Sequence, residues 1–200
     1  MNTTVAPPDQ TAAGRPRDPR IDRAVLDATA ALLVEVGYAE LTIAAIAARA
    51  GTTKPAIYRR WPSKAHLVHE TAFPSGVTTT LPETGSLAGD VREMVRRTTE
   101  AFSHPIARAA LPGLLAEISA DPTLHTALLE RFQDGVWGAM QARVERAVAA
   151  GEARPDVDPA GLIETIGGAT LLALLVRSTG DLGESWIDHT ADLLVKGIAP

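Results

Sequence analysis

Two short helical patterns separated by a single glycine occupy residues 42–60, and they restrict the fold more than any other part of the chain. The first pattern has apolar residues at helical spacing, namely Ile43, Ile46, Ala47 and Ala50. Thr42 is a typical N-cap for this helix, and Gly51 tolerates the left-handed backbone of a tight turn. Thr53 can cap a second helix that ends near Arg60. Two short helices joined by such a turn form a helix-turn-helix.

The remaining sequence favours an all-α fold, because it lacks sustained alternation of apolar and polar residues and contains only 4% aromatic residues. Periodicity and helix breakers predict about nine helices. The expected spans are 19–36, 43–50, 54–60, 63–73, 87–103, 106–119, 122–150, 159–177 and 184–197. The same patterns predict a disordered tail at 1–17 and a three-helix helix-turn-helix domain at 18–64. They also predict a helical domain at 65–200 for effector binding and dimerisation, which contains a linker at 74–86.

Charge is divided unevenly along the chain, although the whole carries a net charge of −5. Residues 1–64 contain nine Lys and Arg against six Asp and Glu, a net charge of +3. Residues 65–200 contain ten against eighteen, a net charge of −8. A basic N-terminal third on an acidic remainder indicates that only the first part faces phosphate groups.

The second short helix has the size of a recognition helix, which lies in the major groove with its N-terminal residues nearest the base edges. Ile57 is expected to point inward. The side chains expected to face outward are Thr52, Thr53, Lys54, Ala56, Tyr58 and Arg59. Arg60 and Lys64 are expected to add positive charge for phosphate contacts at the far end of the helix.

The stretch from Ile21 to Thr71 resembles the DNA-binding domain of the TetR family of one-component bacterial regulators. The resemblance rests on Gly37-Tyr38, Leu41-Thr42-Ile43, Ile46-Ala47-Ala50-Gly51, Thr53-Lys54, Ile57-Tyr58 and Trp61-Pro62-Ser63-Lys64. It implies phosphate contacts at Thr42, Tyr58 and Lys64, and a helix cap at Thr53. Ala56 departs from the family pattern, which often has a hydroxyl there, and Ala45 replaces the acidic residue of a capping box.

Two features beside this motif leave alternatives open. Trp61 is expected to pack at the junction with the fourth helix, with phosphate contact as a secondary role. Arg15 and Arg17 could enter a minor groove as a flexible arm does, or they could form a solvated basic tail.

Catalysis, metal binding and secretion are not expected. The chain has no cysteine, no Gly-x-Ser-x-Gly, no phosphate loop and no His-Glu-x-x-His, so neither an enzyme nor a cofactor is predicted. His66 and His69 lack a third ligand and are assigned surface or capping roles. The N-terminus lacks the apolar core of a signal peptide, which together with the lack of cysteine favours the cytoplasm. The apolar run from Ile166 to Val176 is too short for a bilayer and predicts a buried helix.

The helix at 159–177 is apolar on every side, and such a helix is buried on more than one side. A homodimer interface would do this, with the last helix completing a four-helix seam. The residues assigned to this interface are Leu162, Ile166, Ala169, Leu172, Ala173, Trp186, Leu193 and Leu194. Packing within one chain is the alternative.

A ligand pocket in the C-terminal bundle is implied by the family resemblance. Its candidate lining residues are Met94, Phe102, Leu111, Leu115, Ile118, Phe132, Trp137 and Met140. These faces carry few charges, so a small apolar or aromatic effector is expected.

The expected function is therefore a repressor that binds a near-palindromic, double-stranded operator as a dimer and leaves it when the effector binds. Repression rather than activation follows from the resemblance alone. Two alternatives remain, a small-molecule-binding protein that has lost operator binding and an enzyme fused to a helix-turn-helix.

Overall fold

A computed structural model describes residues 18–74, 83–126, 138–177 and 182–200. This part of the chain contains nine helices, residues 122–126 are also helical, and no strand occurs in it, so the all-α prediction is confirmed. The helices are α1 (Pro19–Glu40), α2 (Ile43–Arg49), α3 (Lys54–Tyr58), α4 (Lys64–Ala72), α5 (Leu87–Ser103), α6 (Pro105–Ala120), α7 (Gly138–Ala149), α8 (Pro159–Val176) and α9 (Glu184–Ile198). The predicted tail at 1–17, most of the predicted linker and the middle of the predicted 122–150 helix lie outside the described residues.

Short polar side chains begin the helices of the N-terminal region, as the sequence predicts for Thr42 and Thr53. Asp18, Thr42, Thr53 and Ser63 each accept a hydrogen bond from a backbone N–H in the first turn of the following helix. Gly37, with φ of 74° and ψ of 175°, interrupts α1 three residues before its assigned end. The helix therefore changes direction where the sequence predicts that it stops.

The buried apolar residues form two separate clusters. The first joins α1–α4 to α6, with Leu33, Ile46, Ile57 and Leu67 fully buried and Leu114 of α6 among them. The second joins α5, α7, α8 and α9. Packing thus places α6 against α1 and α4, although α6 follows α5 in the sequence.

A buried ionic cluster fixes the start of α5 to α7. The Arg143 Nε lies 2.5 Å from the Asp90 carboxylate, and an Arg143 terminal nitrogen lies 3.3 Å from Glu152. Glu152 also accepts a hydrogen bond from the Leu87 backbone N–H at 2.7 Å. Burial alone would raise the pKa of Asp90, but hydrogen bonds from Thr84 and Arg143 bring the net pKa below its ordinary value.

Helix α8 is more exposed than the sequence predicts. Its 18 residues have a mean hydropathy of 1.7, enough by length and composition to cross a membrane, and only 22% of them are buried. Leu162 and Ile166 belong to the second cluster, and Leu174 is also buried. Leu172, Leu175 and Val176 are 63–72% exposed, so the prediction of a buried helix is correct for one face only.

Candidate nucleic-acid interface

The helix-turn-helix is formed by α2, α3 and the turn between them. Gly51 has a φ of 63°, and the Thr52 backbone N–H donates to the Ala47 carbonyl at 2.9 Å, which closes the turn. Ile46 of α2 and Ile57 of α3 are both fully buried. These two anchors hold the helices together and leave the opposite face of α3 in solvent.

The exposed face of α3 presents a short row of polar and charged side chains. Thr53, Lys54 and Arg59 are exposed, Thr52 is half-buried, and Tyr58 keeps 51% of its surface in solvent. Neither Lys54 nor Arg59 has an ion-pair partner in the part of the chain that the structure describes. Their charges are therefore available to a ligand outside the protein.

The N-terminal ends of α2 and α3 lie beside this row of polar and charged side chains. The Thr42 hydroxyl accepts the Ala45 N–H at 3.1 Å and remains exposed at the start of α2. The Thr53 hydroxyl accepts the Ala56 N–H at 3.3 Å at the start of α3. In the first turn of α2 the Ile43 and Ala44 N–H groups lack helical acceptors and can bind anionic oxygens, whereas Pro55 in the first turn of α3 has no N–H.

Two residues that were expected on this surface face inward instead. Ala56 is 9% exposed and lies on the buried side of α3, so the expectation that it points outward is corrected. The Arg60 guanidinium forms an ion pair with Asp22 of α1 and donates to the Ala56 carbonyl at 3.0 Å. Because α3 ends at Tyr58, Arg60 follows the helix and turns towards α1.

Trp61 and Lys64 lie at the junction between the helix-turn-helix and the rest of the molecule. Trp61 is 3% exposed, and its indole N–H donates to Glu70 at 3.1 Å, in agreement with the expected packing role. The Lys64 ammonium donates to the Tyr38 carbonyl oxygen at 3.2 Å and lies 4.1 Å from the centre of the Tyr38 ring. It also lies 3.9 Å from the Glu117 carboxylate of α6.

The sequence predictions missed Arg20 and Pro55, which are both exposed. Pro55 occupies the first turn of α3, on the face that carries Lys54. Arg20 lies in the first turn of α1, which the Asp22–Arg60 ion pair joins to the end of α3.

The six described residues that were expected to line an effector pocket divide between the two buried clusters and the surface. Met94 and Met140 are buried in the second cluster, whereas Ile118 packs on the first. Leu115 is 38% exposed, Leu111 is half-buried, and Phe102 packs edge-on against Phe73 with ring centres 5.9 Å apart. Phe132 and Trp137 lie outside the described residues.

An open groove of about 730 Å³ occurs elsewhere, between α7 and the start of α8. It is lined by Val144, Val148 and Val157 together with Glu145 and Asp158, and by none of the six expected pocket residues that the structure describes. No group of three or more His, Cys, Asp or Glu side chains suited to a metal ion is found among the described residues.

The residues expected at a dimer interface divide between two faces. Leu162 and Ile166 are at most 5% exposed and Trp186 and Leu194 pack on the same cluster, so the expectation that Leu162 and Ile166 face a second chain is corrected. Leu172 and Leu193 are 63% and 58% exposed, and Ala169 and Ala173 beside Leu172 are half-buried. An outward apolar face therefore exists, but it lies on the opposite side of α8 from Leu162.

Two family models match this chain and together cover most of it. Residues 25–71 match the model of bacterial regulatory proteins of the tetR family. Residues 81–194 match the model of a tetracyclin repressor-like C-terminal domain. The boundary between the two models lies between α4 and α5, whereas the packing places α6 with the first four helices.

Relatives match over most of their length. The uncharacterized HTH-type transcriptional regulator YdeS of Bacillus subtilis is 30% identical over 196 residues, covering 94% of this chain and 95% of YdeS. The DNA-binding transcriptional repressor TetR of Mycobacteroides abscessus is 30% identical over 178 residues, covering 84% and 88%. The crystal structure of the TetR family transcription regulator SCO0332 superposes with a TM-score of 0.62 at 26% identity, covering 90% of this chain and 100% of the other.

Proposed function

Because the chain belongs to the TetR family of helix-turn-helix transcriptional regulators, we propose that it is a repressor whose dimer binds a near-palindromic operator and is released by a small, apolar effector. As a regulator of chromosomal DNA it would act in the cytoplasm. Its family relatives are transcriptional regulators rather than enzymes.

The observation that carries this proposal is the pair of unpaired cations on the exposed face of α3. Lys54 and Arg59 lie at the two ends of the helix, with the exposed Tyr58 beside Arg59. A helix of this size fits the major groove, where Lys and Arg can bind guanine or phosphate. A cation that is held in an ion pair within the protein attracts phosphate less strongly. The unpaired Lys54 and Arg59 therefore favour contact with DNA.

We assign separate roles to the residues of this surface. Thr52, Thr53 and Lys54 lie at the start of α3 and would approach the base edges. Thr42, Tyr58, Arg59 and Lys64 would contact phosphate groups. The position of Ala56, Arg60 and Trp61 supports a role in holding α3 in place, not in touching DNA.

Dimerisation through α8 and α9 is supported by their exposed apolar side chains, Leu172, Leu175, Val176 and Leu193. An apolar face of this kind is costly in water and is stabilised by a second copy of itself. A Cβ added at Gly167 or Gly168 would meet no atom within 4 Å, so a second helix could approach closely there. A two-fold dimer would place two α3 helices about one turn of DNA apart.

Release by an effector is supported by the packing of α6. This helix is continuous with the C-terminal region yet shares its apolar core with α1–α4. A ligand that binds better when α6 is displaced would therefore also displace the helix-turn-helix. The name of the M. abscessus relative supports repression rather than activation.

The test is selection of bound duplexes from random double-stranded DNA, followed by gel shifts of the selected sequence. We expect a near-palindrome with half-sites about 10 base pairs apart, and affinity that falls steeply with salt. Failure to recover any preferred sequence, with binding to bulk DNA no stronger than that of a Lys54→Ala, Arg59→Ala variant, would contradict the proposal and favour a protein that binds small molecules only.

A further inference from the structure

A contact of α6 with α1 and α4 involves Tyr38, Lys64 and Glu117. Tyr38 is 8% exposed, and its ring packs so closely on Gly113 of α6 that a Cβ at residue 113 would overlap it. Lys64 lies against the same ring, and its ammonium is 3.9 Å from Glu117, one helical turn after Gly113. Three helices, α1, α4 and α6, therefore meet at a single cation.

The Lys64 ammonium is accessible to both a carboxylate and an outside anion. Its side chain is 24% exposed and that of Glu117 is 41% exposed, so neither is enclosed. Lys64 is the first residue of α4, and it is separated from Arg59 by only four residues. A phosphate oxygen bound at this ammonium would be repelled by the Glu117 carboxylate, and an ammonium that moves towards the phosphate loses attraction to Glu117.

Glu117 acts on Tyr38 as well. Burial raises the pKa of the Tyr38 hydroxyl, and the negative charge of Glu117 raises it further. That hydroxyl makes no hydrogen bond of normal geometry in the described part of the chain. Glu117 therefore lies close to both members of the Tyr38–Lys64 pair and is the one charged group that α6 contributes to this contact.

We propose that Glu117 competes with an operator phosphate for Lys64, so that the position of α6 determines how much of the Lys64 charge is available to DNA. Glu117 is thus a positioning residue that acts through Lys64 and does not itself touch DNA. The inference rests on the proposed DNA binding, and it adds a specific connection between the C-terminal region and the affinity for DNA.

The test compares Glu117→Gln with the unchanged chain on the operator duplex recovered by selection. Glu117→Gln keeps the size of the side chain and removes its charge. We expect DNA affinity to rise roughly two- to fivefold for each protomer, the strength of an exposed ion pair. The slope of log affinity against log salt should steepen by up to about one unit for each protomer, because Glu117 in the unchanged chain takes up a cation when Lys64 binds phosphate, and Gln does not.

A double-mutant cycle with Lys64→Met separates this effect from a general change in charge. In the Lys64→Met background, Glu117→Gln should have no effect on DNA affinity. Glu100→Gln on α5 is the matched control, since Glu100 is 61% exposed and its loss changes the net charge equally. A gain that persists without Lys64, or that Glu100→Gln reproduces, would overturn the proposal.

A measurement without DNA distinguishes failure of this inference from failure of the proposed function. The lysines of the chain are Lys54, Lys64 and Lys196, so acylation of each can be followed by mass spectrometry. Glu117→Gln should speed acylation of Lys64 at least twofold and leave Lys54 and Lys196 unchanged. Unchanged labelling would reject the Glu117–Lys64 restraint even if the chain binds DNA. Faster labelling in a chain that binds no DNA would reject both the proposed function and the competition with phosphate. It would support only the restraint of Lys64 by Glu117.

Discussion

Five cations lie on or beside α2–α4, and their partners determine what each can do. Arg49 forms a two-pronged ion pair with Glu35, at 2.6 and 2.8 Å, which fixes the end of α2 to α1. Arg60 pairs with Asp22, and Lys64 is shared between Tyr38 and Glu117. Lys54 and Arg59 have no such partner in the described residues. Three of these cations therefore make contacts within the protein, and the other two remain available to a ligand.

The neighbouring residues Arg59 and Arg60 should differ when each is replaced. Arg59→Ala should weaken DNA binding and lower the salt slope by about one unit for each protomer, because a phosphate contact is lost. Arg60→Met should instead lower the free energy of unfolding by about 1–3 kcal/mol, since Asp22 loses a partly buried partner. Urea unfolding and gel shifts of both variants measure this. A stable Arg60→Met protein with greatly weakened DNA binding would contradict the assignment.

The sequence could not distinguish these two arginines. Periodicity correctly placed Ile57 inside, but α3 has only five residues, and a pattern on so short a helix does not define the direction of residues that follow its end. Ala56 was misplaced for the same reason, because either face accepts a methyl group. The caps at Thr42 and Thr53 were predictable, since they depend only on local hydrogen bonds.

At the scale of helices, α6 is the element whose packing sequence order does not indicate. It lies between α5 and the C-terminal helices in the chain, yet its side chains Ala110 and Leu114 are buried with α1–α4. Periodicity identifies the apolar face of a helix but carries no information about its partner. For α8, which is apolar all round, even the inward face was not predictable.

The contact between α1 and α6 should be sensitive to one added methyl group. Gly113→Ala would overlap the Tyr38 ring, so we expect a loss of about 1–3 kcal/mol in the free energy of unfolding, which exceeds the gain in helix propensity. The same substitution in a Tyr38→Leu background should cost less, because the ring is gone. Equal losses in both backgrounds, measured by urea unfolding, would rule out the overlap as the cause.

The ionic cluster between α5 and α7 should make stability depend on acid. The lowered pKa of Asp90 stabilises the fold at neutral pH, and this contribution is lost as the pH falls below about 4, the ordinary pKa of an unfolded aspartate, towards the folded value. Asp90→Asn should cost about 2–3 kcal/mol at pH 7, since Arg143 keeps Glu152. Urea unfolding at pH 7 and pH 3 should show the difference between the two proteins shrinking in acid. A constant difference would exclude Asp90 as the titrating group.

At the scale of the whole molecule, the exposed apolar face of α8 and α9 is the feature that one chain leaves incomplete. Leu172 and Leu175 are 63% exposed, and Leu193 is 58% exposed. Side chains on the opposite side of α8 are already buried in the second cluster. The two helices can therefore serve the core of one protomer and the surface of a dimer at once.

Leu172→Glu should convert a dimer to monomers with little effect on the fold of each protomer, because the side chain is exposed in one chain. Sedimentation velocity at micromolar concentration measures the change. Val34→Glu on α1 is the matched control, since Val34 is 57% exposed and lies on another helix. If the unchanged protein is a monomer, or if Val34→Glu has the same effect, the assigned dimer face is wrong.

The sharing of a core between α6 and the first four helices has a consequence for protein engineering. Consider a hybrid regulator that takes residues up to 64, or up to the end of α4, from one protein and the rest from another. The junction would separate Leu114 and Ala110 from the side chains that enclose them. Such a fusion would expose apolar surface on both halves and should aggregate. A functional hybrid would have to take α6 from the same protein as α1–α4, even though α5 separates these segments in the gene.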